Sequence, residues 1–246
     1  MNDDFYKEYK TDVSSIFHEN PEYLEKKAFY NSYVQSTSIL KLRGFDLSKN
    51  SLDLKNFEEF CQHFSDKTEC DLLLLGLRGE KKAPEEKCLI FWEKDKVTPE
   101  TLLNDYVEKM IKKRIANGVI ITQNKCQKKV DETILKLQER SNGSSNDFNI
   151  FVTIFTKSEL QYNPMDHHQQ SKYTILTEKE KTDLLKILGV VPAKIPKIRI
   201  GGIICRFLGC QKGDILKIES PAFVLTGKTS ISYRCVSILG MKIKEK

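Results

Sequence analysis

Apolar positions along this chain change their period several times, and each change marks an element. From Tyr23 to Leu40 they recur every three to five residues (Leu24, Ala28, Tyr33, Ile39, Leu40), which predicts a helix. Gly44 stops it, with Lys41 and Arg43 in the last turn, where cations suit the helix dipole. A second helix is predicted over 53–64, with Leu54, Phe57, Phe60, Cys61 and Phe64 on one stripe and Asp53 as its cap. Then short continuous apolar runs appear, at 70–77 and 88–92, separated by a charged turn containing Gly79 and Pro84. Such runs predict strands buried on both faces. Thr98 and Pro99 open a helix whose apolar face is Leu102, Leu103, Tyr106, Met110 and Ile111. A buried strand over 117–123, a helix over 127–139, a flexible loop at 141–147 and a strand over 148–155 follow. Strand, helix, strand, helix, strand is the α/β order, so parallel pairing is expected in this half.

The pattern breaks between 160 and 172, where the chain is polar and aperiodic. Thr177 with Glu180 three residues later makes a capping box, and the helix it opens runs to about Leu188 before Gly189. Residues 195–243 read as short β-like runs separated by Gly and Pro. The predicted class is therefore α/β and α+β: a mixed sheet flanked by helices, then a small helix-and-sheet domain. The boundaries are a polar extension over 1–25, partly disordered, a first domain over 26–160, a linker over 161–173 and a second domain over 174–246.

Length and composition agree with a folded, soluble chain. At 246 residues it has room for one or two domains and a full core. No apolar run approaches the ~20 residues a membrane-spanning helix needs, and the polar, acidic N-terminus carries no secretory signal. Seven cysteines stand at 61, 70, 88, 126, 205, 210 and 235; the closest pair is Cys205 and Cys210, and no two have CxxC spacing. That excludes a zinc ribbon or finger and favours reduced thiols packed as small hydrophobes. The net charge of +6 is uneven: residues 1–168 carry 25 Lys+Arg against 28 Asp+Glu, and residues 169–246 carry 15 against 6. The basic second half suits nucleic acid, an acidic protein surface or solvent.

The search for chemistry returns little. No phosphate loop or GxGxxG follows a strand, and no serine sits in GxSxG. His18 and His63 stand alone, and the adjacent His167 and His168 point apart on an extended backbone, with Asp166 the nearest acid. No cofactor, metal site or catalytic residue is predicted. The α/β half leaves one enzymatic alternative, a stand-alone nuclease-like protein. It would need acids and lysine converging at strand ends, where only Asp71 and Glu93 lie.

A series of spaced motifs in the last 75 residues carries a resemblance. They are Leu176–Glu180, then Ile195-Pro196-Lys197-Ile198, then Cys205-Arg206-Phe207-Leu208-Gly209, then 212–218, then Pro221 and Tyr233-Arg234. In this order they resemble the C-terminal domain of the fifth subunit of eukaryotic RNA polymerases, a domain with a counterpart in the archaeal enzyme. The likeness extends more weakly upstream, through KLRGF, the paired apolar runs, 97–122 and Leu160…Pro164…His167, to cover about 27–237. Departures from the family pattern occur at Gly201-Gly202-Ile203 and in the loop after Pro221, and terminal extensions are added.

The resemblance implies a non-catalytic subunit with a jaw domain near downstream duplex DNA and a C-terminal domain anchored to the largest subunit. Other polymerase subunits are its remaining partners, and the nucleus its location, or a virion or host cell if a large DNA virus encodes it. It implies an assembly interface at Pro196, Arg206, Phe207, Gly209, Gly213, Asp214, Tyr233 and Arg234. The residues themselves fit a structural role. Gly209 and Gly213 bracket a turn that calls for positive φ, Asp214 can accept from turn amides, and Arg206 and Arg234 carry forked donors suited to carboxylates or carbonyls. Any DNA contact falls to Lys112, Lys113 and Arg114 at a helix end, through phosphates and without sequence preference.

Overall fold

Continuous apolar runs need two buried faces, and the first sheet provides them. The computed structural model describes residues 21–45, 56–63, 74–78, 86–93, 96–126, 128–141, 150–166, 170–221 and 229–238. The sheet consists of β1 (Leu74–Arg78), β2 (Glu86–Glu93), β3 (Asn117–Thr122) and β4 (Phe151–Thr156), in the order β1-β2-β3-β4. β1 and β2 are antiparallel, whereas β2, β3 and β4 run parallel, as the alternating order predicts. Along β2, Cys88, Ile90 and Trp92 face one layer while Leu89 and Phe91 face the other.

The first layer is α1 (Pro21–Leu42) with α2 (Phe57–His63). Phe29, Tyr33, Ile39 and Leu40 of α1 and Phe60 of α2 pack there, and the Phe29 and Phe60 rings meet edge to face at 5.0 Å. The second layer is α3 (residues 99–113) with α4 (Lys128–Ser141). Thr98 caps α3 as expected, its hydroxyl accepting from the Thr101 amide at 3.2 Å. The helix then widens into a π-helical segment, Leu102–Val107. That wider turn buries the sequence neighbours Tyr106 and Val107 together against the sheet. Gly118 of β3 permits the close approach of α3, because a Cβ there would lie 2.7 Å from the Met110 sulfur.

The second sheet is β5 (Lys172–Ile175), β7 (Ile215–Ser220), β8 (Ser230–Ser237) and β6 (Lys197–Arg199), in that spatial order. Helix α5 (Glu178–Leu188) begins with the predicted capping box and ends at Gly189. Two elements differ from the sequence expectation. β5 occupies part of the polar stretch read as linker, as a half-exposed edge strand. Residues that look β-like in sequence form α6 (Ile203–Leu208), a six-residue helix that is apolar apart from Arg206 and is wedged between two cores.

That wedge joins the halves. Phe207 of α6 is fully buried in the core of the first sheet, beside Phe155 and Leu160, while Leu135 of α4 packs into the core of the second sheet with Cys205, Leu216 and Val236. Each half thus fills the other's core. Asp53, Gly79, Pro84, Asp71, Cys70, His18, His167, His168 and residues 142–147 of the predicted loop lie outside the described residues, as does most of the polar N-terminal extension, whereas Ser141, expected in that loop, ends α4.

Candidate assembly interface

Two arginines, one from each half, cross the seam in opposite directions. Arg43 follows α1, but it does not serve the dipole of its own helix, as its position suggests. Its Nε donates to the Phe207 carbonyl at 3.2 Å, and its Nη2 donates to the Arg206 carbonyl at 2.5 Å and to Thr153 Oγ1 at 3.0 Å. A buried cation therefore sits at the carbonyl end of α6, where unpaired acceptors and the helix dipole both favour it. Gly209 makes room: it has φ +72°, and a Cβ there would lie 2.9 Å from Arg43 Nε.

Arg206 reaches back. Its Nη1 donates to the Ile154 carbonyl at 2.8 Å, and its two Nη atoms grip Glu159 at 3.0 and 2.5 Å. Its guanidinium lies 5.0 Å from the centre of the Phe155 ring. Glu159 belongs to the 3₁₀ turn Lys157–Leu160 and completes a capping box with Thr156. The sequence thus marks Arg206 as an interface arginine, and the interface it occupies lies within the chain.

Burial raises the Glu159 carboxyl, but the hydrogen bonds from Arg206 and from the Thr156 amide outweigh it and hold the group below 4.5. Asp131 of α4 goes the opposite way: burial lifts it above 3.8, against the pull of Arg206 and Lys125. A depressed carboxylate stabilises the fold above its unfolded value and loses that contribution as pH falls through its folded value. The stability advantage of the native chain over Glu159→Gln is therefore expected to be constant near neutrality and to shrink below pH 4.5. Denaturant melts of both proteins across that range check this; a constant difference would deny Glu159 its charged role.

The other predicted residues scatter around the second half. Gly213 has φ +95°, and the Gln211 amide donates to Asp214 Oδ2 at 2.6 Å, so this turn is built internally. Burial nevertheless raises Asp214 above 3.8. Pro196 is exposed, and its carbonyl accepts from the Cys235 amide at 2.9 Å. Tyr233 is half-buried beneath α5, and Arg234 is exposed. Three exposed apolar residues that the motifs did not single out stand at and just after the end of α5: Ile187 (82% exposed), Leu188 (48%) and Val191 (56%). Leu184 and Leu185 of the same helix pack into the core and Gly189 ends the helix before Val191, so residue type alone does not separate these exposed positions from the buried ones.

Lys112, Lys113 and Arg114 are all exposed at the end of α3, where Arg114 adopts φ 54°. Lys112 pairs with Glu108 at 2.7 Å. At the strand ends, Glu93 accepts a hydrogen bond from the Tyr106 hydroxyl. Among the described residues, no three His, Cys, Asp or Glu side chains are placed to hold a metal ion, and no helix is long and apolar enough to cross a membrane.

Residues 162–236 match the family model described as RNA polymerase Rpb5, C-terminal domain. The chain is 35% identical over 77 residues to the DNA-directed RNA polymerase subunit Rpo5 of Archaeoglobus fulgidus, covering 31% of this chain and 99% of that one. It is 21% identical over 212 residues to the DNA-directed RNA polymerase V subunit 5A of Arabidopsis thaliana, covering 86% and 89%. It is likewise 21% identical over 200 residues to the DNA-directed RNA polymerases I, II, and III subunit RPABC1 of Caenorhabditis briggsae, covering 79% and 88%.

Proposed function

The chain belongs to the Rpb5 family of DNA-directed RNA polymerase subunits, and from that membership we propose that it acts as a non-catalytic subunit in the nucleus. Its second half anchors it to the largest subunit, and its first half forms a jaw beside downstream DNA. Nucleotide addition belongs to the other subunits. The observations that carry this reading are the family match over residues 162–236 and the archaeal match over nearly that subunit's whole length. The region of the family match is the region proposed to dock.

The exposed end of α5 supports an anchoring face. Ile187 and Val191 leave apolar surface in water, which marks an interface when it is contiguous. Arg206 and Phe207 are engaged inside the chain, so the face proposed for the large subunit is α5 with the exposed Arg234 and Pro196. The jaw's contact with DNA is proposed to be weak, because residues 1–168 carry more acids than bases.

Affinity purification of the tagged chain from its own cells tests the reading. The native protein is expected to bring down the largest polymerase subunit, and Ile187→Asp with Val191→Asp to lose it while keeping its circular dichroism spectrum. A native protein that recovers no polymerase subunit would refute the assignment. In the same preparations, Lys112→Ala with Arg114→Ala is expected to flatten the log–log salt dependence of elongation-complex lifetime by about 1 to 2, at ~0.9 per phosphate contact. Identical salt curves would remove the direct DNA contact.

A further inference from the structure

Cys205 and Cys210 form the closing contact of the turn that ends α6. The Cys210 amide donates to the Cys205 carbonyl at 2.9 Å, and the Gly209 amide donates to the Arg206 carbonyl at 3.2 Å. These paired bonds make a Schellman end, in which the residues standing where Cys205 and Cys210 stand pack against each other. Standard bond lengths joined by that 2.9 Å bond hold the two Cα atoms within about 6.8 Å, the span a disulfide bridges. The two thiols are hydrogen-bonded to each other and are 1% and 2% exposed. Other cysteines are placed differently: Cys126 meets the Thr122 hydroxyl, and Cys235 meets the Val236 carbonyl.

We infer that Cys205 and Cys210 are a redox-active dithiol, a modification site that closes to an intramolecular disulfide when a hydroperoxide reaches it. The pair divides the work. The hydrogen bond from Cys210 draws the Cys205 thiol down, against burial, whereas that same bond and burial push Cys210 up. With Cys205 attacking and Cys210 resolving, or with the roles exchanged, the disulfide formed is the same. The Cys205 thiolate attacks a peroxide oxygen, the O–O bond breaks, and the released hydroxide takes up the thiol's proton and leaves as water. The Cys210 sulfur then attacks the sulfenic sulfur of Cys205. The S–O bond breaks, and the departing hydroxyl leaves as water with the Cys210 proton. Two thiols and one hydrogen peroxide give one disulfide and two waters; the sulfurs lose the two electrons that the peroxide gains. Access needs only local opening, because Cys210 is followed by the exposed Gln211 and Lys212 and by Gly213 at φ +95°.

Trypsin supplies a specific readout, because it cuts after Arg206, between the two cysteines. The folded full-length chain is treated with hydrogen peroxide, its remaining thiols are alkylated, and it is digested without reductant. Peptide 200–206 is expected to be recovered joined to peptide 207–212, and to separate on reduction. In Cys210→Ser the junction is expected to be lost, and dimedone to label Cys205. Recovery of both peptides as alkylated free thiols, at a peroxide dose that already oxidises Cys61 or Cys126, would overturn the inference. So would either cysteine linked equally to other partners. The digest of the native chain decides this even if the variant does not fold.

Discussion

Phe207→Ala is expected to destabilise the whole protein by about 3–5 kcal/mol, as truncation of a fully buried phenylalanine does when the site does not collapse. Phe207 is 0% exposed and meets Phe155 edge to face at 5.3 Å. What sets this site apart is its ownership. The ring belongs to the second half, but the cavity would open in the core of the first. Chemical denaturation followed by the fluorescence of Trp92, which lies in that same first-half core, reads the loss directly. A change below about 1 kcal/mol would mean that the first half closes over the gap and that the two halves are energetically separate.

Arg43→Met is expected to cost about 3–4 kcal/mol, the scale for stripping a charged donor from several buried acceptors. Methionine keeps the unbranched stem but leaves the Arg206 and Phe207 carbonyls and Thr153 without the guanidinium. Arg43→Lys is expected to recover less than half, because a single ammonium cannot reproduce the fork. The same denaturation series measures all three proteins. A lysine variant as stable as the native chain would show that charge alone, and not the forked geometry, holds the seam.

Local rules made most elements legible, and long-range pairing made the seam opaque. Thr177 and Glu180 announced α5 to the residue, since a capping box is complete within four positions. The runs around Cys88–Trp92 and 117–123 declared buried parallel strands, because both faces are covered by helices. α6 was read as β-like for the same reason that it matters. Ile203 and Ile204 favour strands, and a six-residue helix wedged between two cores is too short to show a helical period. β5 hid in a polar stretch because an edge strand needs little apolar content. Arg43 and its acceptor on Arg206 are 163 residues apart, so the KLRGF motif shows nothing of its partner.

Among the described residues, the first sheet ends at β4 with no strand beside it, and Arg206 takes the Ile154 carbonyl there. An apolar strand with a bare side is a template for pairing with other chains. During synthesis the first half leaves the ribosome well before α6 exists, so Phe151–Thr156 emerges with that side uncovered. The nascent chain is therefore most prone to aggregate in the interval between completion of β4 and arrival of α6. Translation that stalls after residue 156 leaves a sticky fragment, and translation that continues through residue 209 supplies its own cover.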